Sequence, residues 1–152
     1  MKNSTEAPEK DIVSFNQALE LCSLGFDEPT FCMYEIENRQ LCLCYIDEDG
    51  LYMPLKDFHA PTKSQVLRWL REKLNLTGII EGGYTEGKNV FGYVIWLGHL
   101  DFWADYIYDT YEEAENACID KLIEICKQQD NGKSKNGGRF CNRATREIDT
   151  KW

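Results

Sequence analysis

Apolar residues recur at helical spacing in three stretches of the chain, each preceded by the same polar signal. A Ser or Thr followed three residues later by Gln or Glu lets side chains and backbone satisfy each other's orphan groups at a helix start. The pairs are Ser14 with Gln17, Thr62 with Gln65, and Thr110 with Glu113. After the first, Phe15, Ala18, Leu19 and Cys22 repeat until Gly25, a residue that readily takes the left-handed conformation ending a helix. After the second, Val66, Leu67, Leu70 and Leu74 form a stripe flanked by Trp69, with Arg68, Arg71, Glu72 and Lys73 turned outward. After the third, Tyr111, Ala114, Cys118, Leu122 and Ile125 predict a helix ending near Lys127.

The stretches between read as strands. Residues 31–37 and 41–46 are rich in aromatic and aliphatic side chains, and Asn38, Arg39 and Gln40 between them predict a hairpin. Asp47, Glu48, Asp49 and Gly50 then close the second strand. Three more strands are predicted over residues 76–84, 90–97 and about 102–108, joined by turns at 85–89 and 98–101. Along the middle one, Phe91, Tyr93, Ile95 and Leu97 point one way while Val90, Val94 and Trp96 point the other. Both faces are apolar, and such a sheet is covered twice, by its own chain, by a second copy or by a partner.

From Thr62 to Lys127 the order is helix, strand, strand, strand, helix. Strands joined by short turns form an antiparallel meander, and two amphipathic helices bury their stripes against one face of it. The expected fold class is α+β, with an α-β-β-β-α core in the topology of double-stranded-RNA-binding domains. An α-β-β unit precedes the core and either extends the sheet or covers its other face. The expected organisation is a disordered polar leader over residues 1–11, the α-β-β unit over 12–58 and the core over 59–127. The unit and the core form one globular domain, and a disordered basic tail follows over 128–152.

Charge sets that tail apart. The 152 residues carry 26 acidic against 17 basic side chains, a formal net charge of -9, yet residues 128–152 hold 6 basic and 3 acidic. The tail is too poor in apolar residues to offset the entropy of ordering it. An acidic body argues against general nucleic-acid or anionic-membrane binding, because phosphate affinity comes from clustered Lys and Arg. No stretch has the apolar length of a secretory signal or of a membrane span of about 18 residues, so a cytoplasmic chain is expected. The seven cysteines, Cys22, Cys32, Cys42, Cys44, Cys118, Cys126 and Cys141, are odd in number and sit mostly among apolar neighbours. That is how small hydrophobes are used in a reducing compartment.

Three stretches, SFNQALELCSLGFDEPTFCMY from Ser14, APTKSQVLRWLREK from Ala60 and DTYEEAENACIDKLIEI from Asp109, together resemble a family of small acidic proteins. Phages and integrated mobile elements of gut bacteria encode that family. The stretches occur in the family's order and span most of residues 12–127. The resemblance implies a bacterial cytoplasm and an accessory gene of a mobile element, and it implies no activity.

Several residue groups invite chemistry, and packing or turns explain most of them. Double-stranded-RNA-binding domains grip phosphate with lysines at the start of their second helix, where this chain has Glu112, Glu113 and Glu115. Carboxylates there favour the helix dipole and repel phosphate. Cys42 and Cys44 have a single residue between them and no second pair, which falls short of a structural zinc site, and Cys118 and Cys126 flank Leu122 on one helix. Asp47, Asp49 and Gly50 resemble half a calcium loop, but placing the glycine sixth puts Tyr45 first and Lys56 last, where carboxylates belong. Neither a metal nor a cofactor is expected. His59 and His99 are the available imidazoles, and the densest polar set is His99, Asp101 and Asp105 around Trp103. A turn at a sheet end explains that set equally well, so the chain is not expected to be an enzyme.

Two surfaces remain. Tyr84, Phe91, Tyr93, Trp96, Trp103 and Tyr106, with Phe102 and Tyr108, crowd the three strands. Exposed and rimmed with acid they make a protein-binding patch; under the α-β-β unit they are core. In the tail, Lys133, Lys135, Arg139, Arg143 and Arg146, with Lys151, Phe140 and Trp152, have the charges and rings to track a phosphate backbone. A net +3 spread along the tail releases few counterions. The expected function is a non-catalytic protein-interaction module whose partner is a host or phage protein, with homodimerisation through the sheet face as a variant. Nucleic-acid association through the tail is one alternative, and an enzyme with a site near His99 and Asp101 is the weaker one.

Overall fold

The Ser14 hydroxyl accepts the Gln17 amide at 3.3 Å while the Gln17 side chain accepts the Ser14 amide at 2.9 Å, so the first start signal is a formed capping box. It opens helix α1 (Phe15–Ser23), which buries Gln17, Ala18 and Leu21, and Gly25 follows in the left-handed region at φ 88°. The computed structural model describes residues 9–43, 45–47, 50–52, 58–97, 100–103 and 107–133. These residues are α+β and fall into two compact units, one holding the described residues up to Thr62 together with Asp130–Lys133 and the other spanning Lys63–Gln129.

In the first unit, β1 (Cys32–Tyr34) lies between β2 (Leu41–Leu43) and β5 (Phe58–Ala60), antiparallel to both. Helix α1 covers one face: Phe15 stands edge-on to Tyr34 and Phe58 at 5.5 and 5.2 Å, and the Tyr34 hydroxyl donates to the Val13 carbonyl at 2.7 Å. A separate hairpin pairs β3 (Tyr45–Asp47) with β4 (Gly50–Tyr52), Asp47 opposite Gly50.

This corrects the expected α-β-β unit, which carries five short strands instead of two. The single strand expected over residues 41–46 is divided between two sheets, and β4 and β5 have no counterpart in the sequence reading. Three-residue strands hold too little alternation to register as a period, and all of β1 is buried, with no polar face to mark it. The hairpin loop is also wider than residues 38–40. Glu35 donates its amide to the Gln40 carbonyl at 3.0 Å, and Arg39 donates its own to the Glu35 carbonyl at 2.9 Å from a left-handed φ of 58°.

In the second unit, α2 (Lys63–Leu74) passes through Asn75, at φ 55°, straight into β6 (Leu76–Thr85). β6 pairs with β7 (Lys88–Leu97) through a two-residue turn, Glu86 and Gly87, both left-handed as such hairpins require. β8 (Leu100–Trp103) pairs with the other side of β7, and Tyr108 adds a bridge to Phe91. Register sets Gly78 opposite Ile95, and a Cβ on Gly78 would meet Cys118 Sγ at 2.6 Å and Leu67 Cδ2 at 3.4 Å. The face shared by Leu76, Gly78, Ile80, Tyr93, Ile95 and Leu97 is therefore the one that both α2 and α3 (Tyr111–Lys133) pack against. Helix α3 buries Ala114, Cys118, Ile119 and Leu122 and continues past the expected end at Lys127. A bond from the Gln128 side chain back to Glu124 at 2.9 Å, one helical turn earlier, supports the extension.

Candidate functional site

The aromatic candidates do not share one surface. Phe91 and Tyr93 lie on the helix-covered face, half-buried, with Phe91 edge-on to Tyr111 at 6.2 Å and Tyr93 stacked with Tyr108 at 6.3 Å. Burial, with the nearby Tyr108, Cys118, Glu124 and Asp120, pushes the Tyr93 phenol up and keeps it neutral. Tyr84 belongs to the same face but sits beside the hairpin turn, 74% exposed. Trp96 points to the opposite face, 46% exposed, and Trp103 takes the register position opposite Val94. Tyr106 lies outside the described residues.

On the face of Trp96, Thr77 stands opposite Trp96 and Ile79 opposite Val94. Ile79, 36% exposed, is thus the diagonal neighbour of Trp96, a spacing that an aromatic ring can bridge. Glu81 follows in the same row, while Val90 and Val94 on this face are buried. Sequence reasoning passes over Ile79. The available signal was the alternation of Thr77, Ile79 and Glu81 against Gly78, Ile80 and Gly82, which puts Ile79 in the row opposite to Gly78.

The remaining candidates are scattered. Lys133 ends α3, and Lys135, Arg139, Arg143 and Arg146 lie outside the described residues, as do His99 and Asp105. Asp101 occupies the position opposite Trp96. Cys118 is fully buried, and burial with the adjacent Glu115 pushes its thiol up to about 12. Among the described residues, no three His, Cys, Asp or Glu side chains are placed to hold a metal ion.

His59, on β5, is held by two neighbours. The Thr30 hydroxyl spends its proton on the Cys32 carbonyl at 2.6 Å, so its oxygen accepts from His59 Nδ1 at 3.0 Å, which assigns the Nδ1–H tautomer. Phe26 stands edge-on to the ring at 6.3 Å. Burial lowers the His59 pKa, and the Asp27 carboxylate partly opposes this. In the second unit, Lys63 at the start of α2 pairs with Glu115 of α3 at 3.6 Å, its side chain 6% exposed. This pair ties two helices, a task for which the sequence carries no separate sign.

Comparison with family models, with curated proteins and with solved structures gave no match. No helix among the described residues is long and apolar enough to cross a membrane.

Proposed function

We propose that this chain is a non-catalytic protein-interaction module, encoded by a phage or mobile element and acting in the bacterial cytoplasm on a host or phage protein. The observation that carries the reading is the Ile79 and Trp96 pair, two large apolar side chains left substantially exposed as neighbours on one sheet face, with Glu81 beside them. Aromatic anchors with a polar rim are the parts of a surface that supply most binding energy.

The second unit runs helix, three antiparallel strands, helix, and we read it as resembling double-stranded-RNA-binding domains in topology. The ligand does not carry over. Glu112 and Glu113 fill the first turn of α3, where the Glu113 side chain accepts the Thr110 amide at 3.3 Å, so that end presents carboxylates in place of cations.

The test is affinity capture from nuclease-treated bacterial lysate, using the full chain and an Ile79→Lys, Trp96→Glu double variant checked for retained fold by circular dichroism. A protein held by the native chain and lost by the variant supports the reading. Equal retention by both, or capture seen only from lysate left without nuclease, contradicts it.

A further inference from the structure

Helix α1 covers two of the three strands beneath it. Phe15 touches Tyr34 and Phe58, and register sets Leu41 in their row and Leu43 in the row of Cys32 and Ala60, so both rows face the helix. On β1 and β5 these side chains are buried, but on β2 Leu41 is half-buried and Leu43 is 46% exposed. The helix flank above is apolar too. Leu19, one turn on from Phe15, is 43% exposed, and the Arg39 guanidinium 5.1 Å over the Phe15 ring puts that flank on the side of the β1–β2 hairpin. Thus α1 and β2 border an open apolar groove, with Leu19 and Leu43 as its exposed walls.

Charge and chain length select the occupant. Residues 1–62 hold 12 acidic and 4 basic side chains, against 11 and 7 in residues 63–129. Residues 134–152 hold 5 basic and 2 acidic, together with the apolar Phe140, Ile148 and Trp152. Phe140 stands between Arg139 and Arg143, a ring flanked by cations. The chain enters this segment from Asp130–Lys133, which belong to the same unit as the groove. Its 19 residues extend to about 60 Å, several times the radius of gyration of about 11 Å for a unit of that size, so they reach any of its faces. Tethering supplies an effective concentration of about a millimolar, so a modest contact suffices to fill the groove. A second copy would bring a net charge of -9 to an acidic surface, whereas the tail brings +3.

We infer that residues 134–152 dock in the groove between α1 and β2, with Phe140 against Leu19 and Leu43 and the tail's cations among the carboxylates of residues 1–62. The groove is an internal docking surface whose ligand is the basic tail, and the contact holds those cations away from phosphate. The surface lies in the first unit, so the inference stands or falls independently of the interaction reading above.

The experiment places a photoreactive benzoylphenylalanine at position 140 of the full chain and maps its cross-links by mass spectrometry. A mixture of unlabelled and isotope-labelled protein separates links within a chain from links between chains. The expected links lie within one chain, on Phe15–Ser23 and Leu41–Leu43. They should fall severalfold in about 1 M NaCl, where charges act over only about 3 Å. The Arg139→Glu, Arg143→Glu double variant should have the same effect, and it leaves every described residue in place. Leu19→Glu with Leu43→Glu, checked for retained fold by circular dichroism, should remove the links as well. Links spread evenly over the surface, confined to Lys63–Gln129, or running between chains overturn the inference. So do links that salt and the arginine variant leave unchanged.

Discussion

At Gly78 a methyl group has nowhere to go. Cys118 Sγ and Leu122 Cδ1 would lie 2.6 and 2.9 Å from it, and both belong to a helix already seated on the sheet. Gly78→Ala is expected to destabilise the second unit by about 1–3 kcal/mol, the usual cost of overpacking, as a lower urea midpoint. Adding Cys118→Ala should recover part of that loss, whereas simple additivity would place the strain elsewhere. The same burial makes Cys118 a poor nucleophile, because the thiolate reacts and its thiol is raised to about 12. In native protein a maleimide should modify the half-buried Cys22 and Cys42 well before Cys32, Cys118 and Cys126, with site occupancies read by peptide mass spectrometry. Early labelling of Cys118 would contradict the packing. At this scale the alternation along β7 was legible, since strand side chains strictly alternate faces, and Phe91 and Trp96 stand where it put them. Which face the helices take was not legible, because both rows are apolar; Gly78 decides it through a contact between residues far apart in sequence.

Helices showed in the sequence because their start signals are local. The Ser14 with Gln17 and Thr110 with Glu113 boxes form as read, and α2 begins directly after Thr62. The three-residue strands did not, since long-range pairing defines them more than pattern does. Two polar contacts each join segments distant in the sequence. His59 joins β5 to the loop before β1, and burial lowers its pKa below 6.5. The unfolded chain therefore takes up the proton first as pH falls. The first unit should lose stability from about pH 6.5 downward, levelling once His59 protonates in the folded state. Amide exchange in β1 measured between pH 5 and 8 should show this, His59→Asn should flatten it, and Asp27→Asn should deepen it by removing the charge that favours the imidazolium. Helices α2 and α3 share the Lys63 and Glu115 pair. Glu115→Ala leaves an ammonium in a nearly closed site and is expected to cost about 3 kcal/mol, much of it restored by Lys63→Met, because an unpaired buried charge costs more than a missing pair. A double variant no more stable than Glu115→Ala would show that the pair is solvated.

For the whole molecule, composition and charge were informative about what the chain does not resemble, and packing now narrows what it offers. The aromatic set read from the sequence was a list of strand residues. Folding divides it, turning Phe91 and Tyr93 toward the helices and leaving Trp96 beside Ile79, which no aromatic count would find. An acidic chain with an exposed apolar pair on a sheet face is suited to a partner that covers that pair. The most direct measurement is capture from nuclease-treated host lysate by the full chain and by a chain ending at Lys133, followed by cross-linking mass spectrometry. The account predicts the same protein on both, with cross-links that place it beside β6 and β7. Loss of capture on removing residues 134–152, or cross-links confined to the first unit, would contradict it.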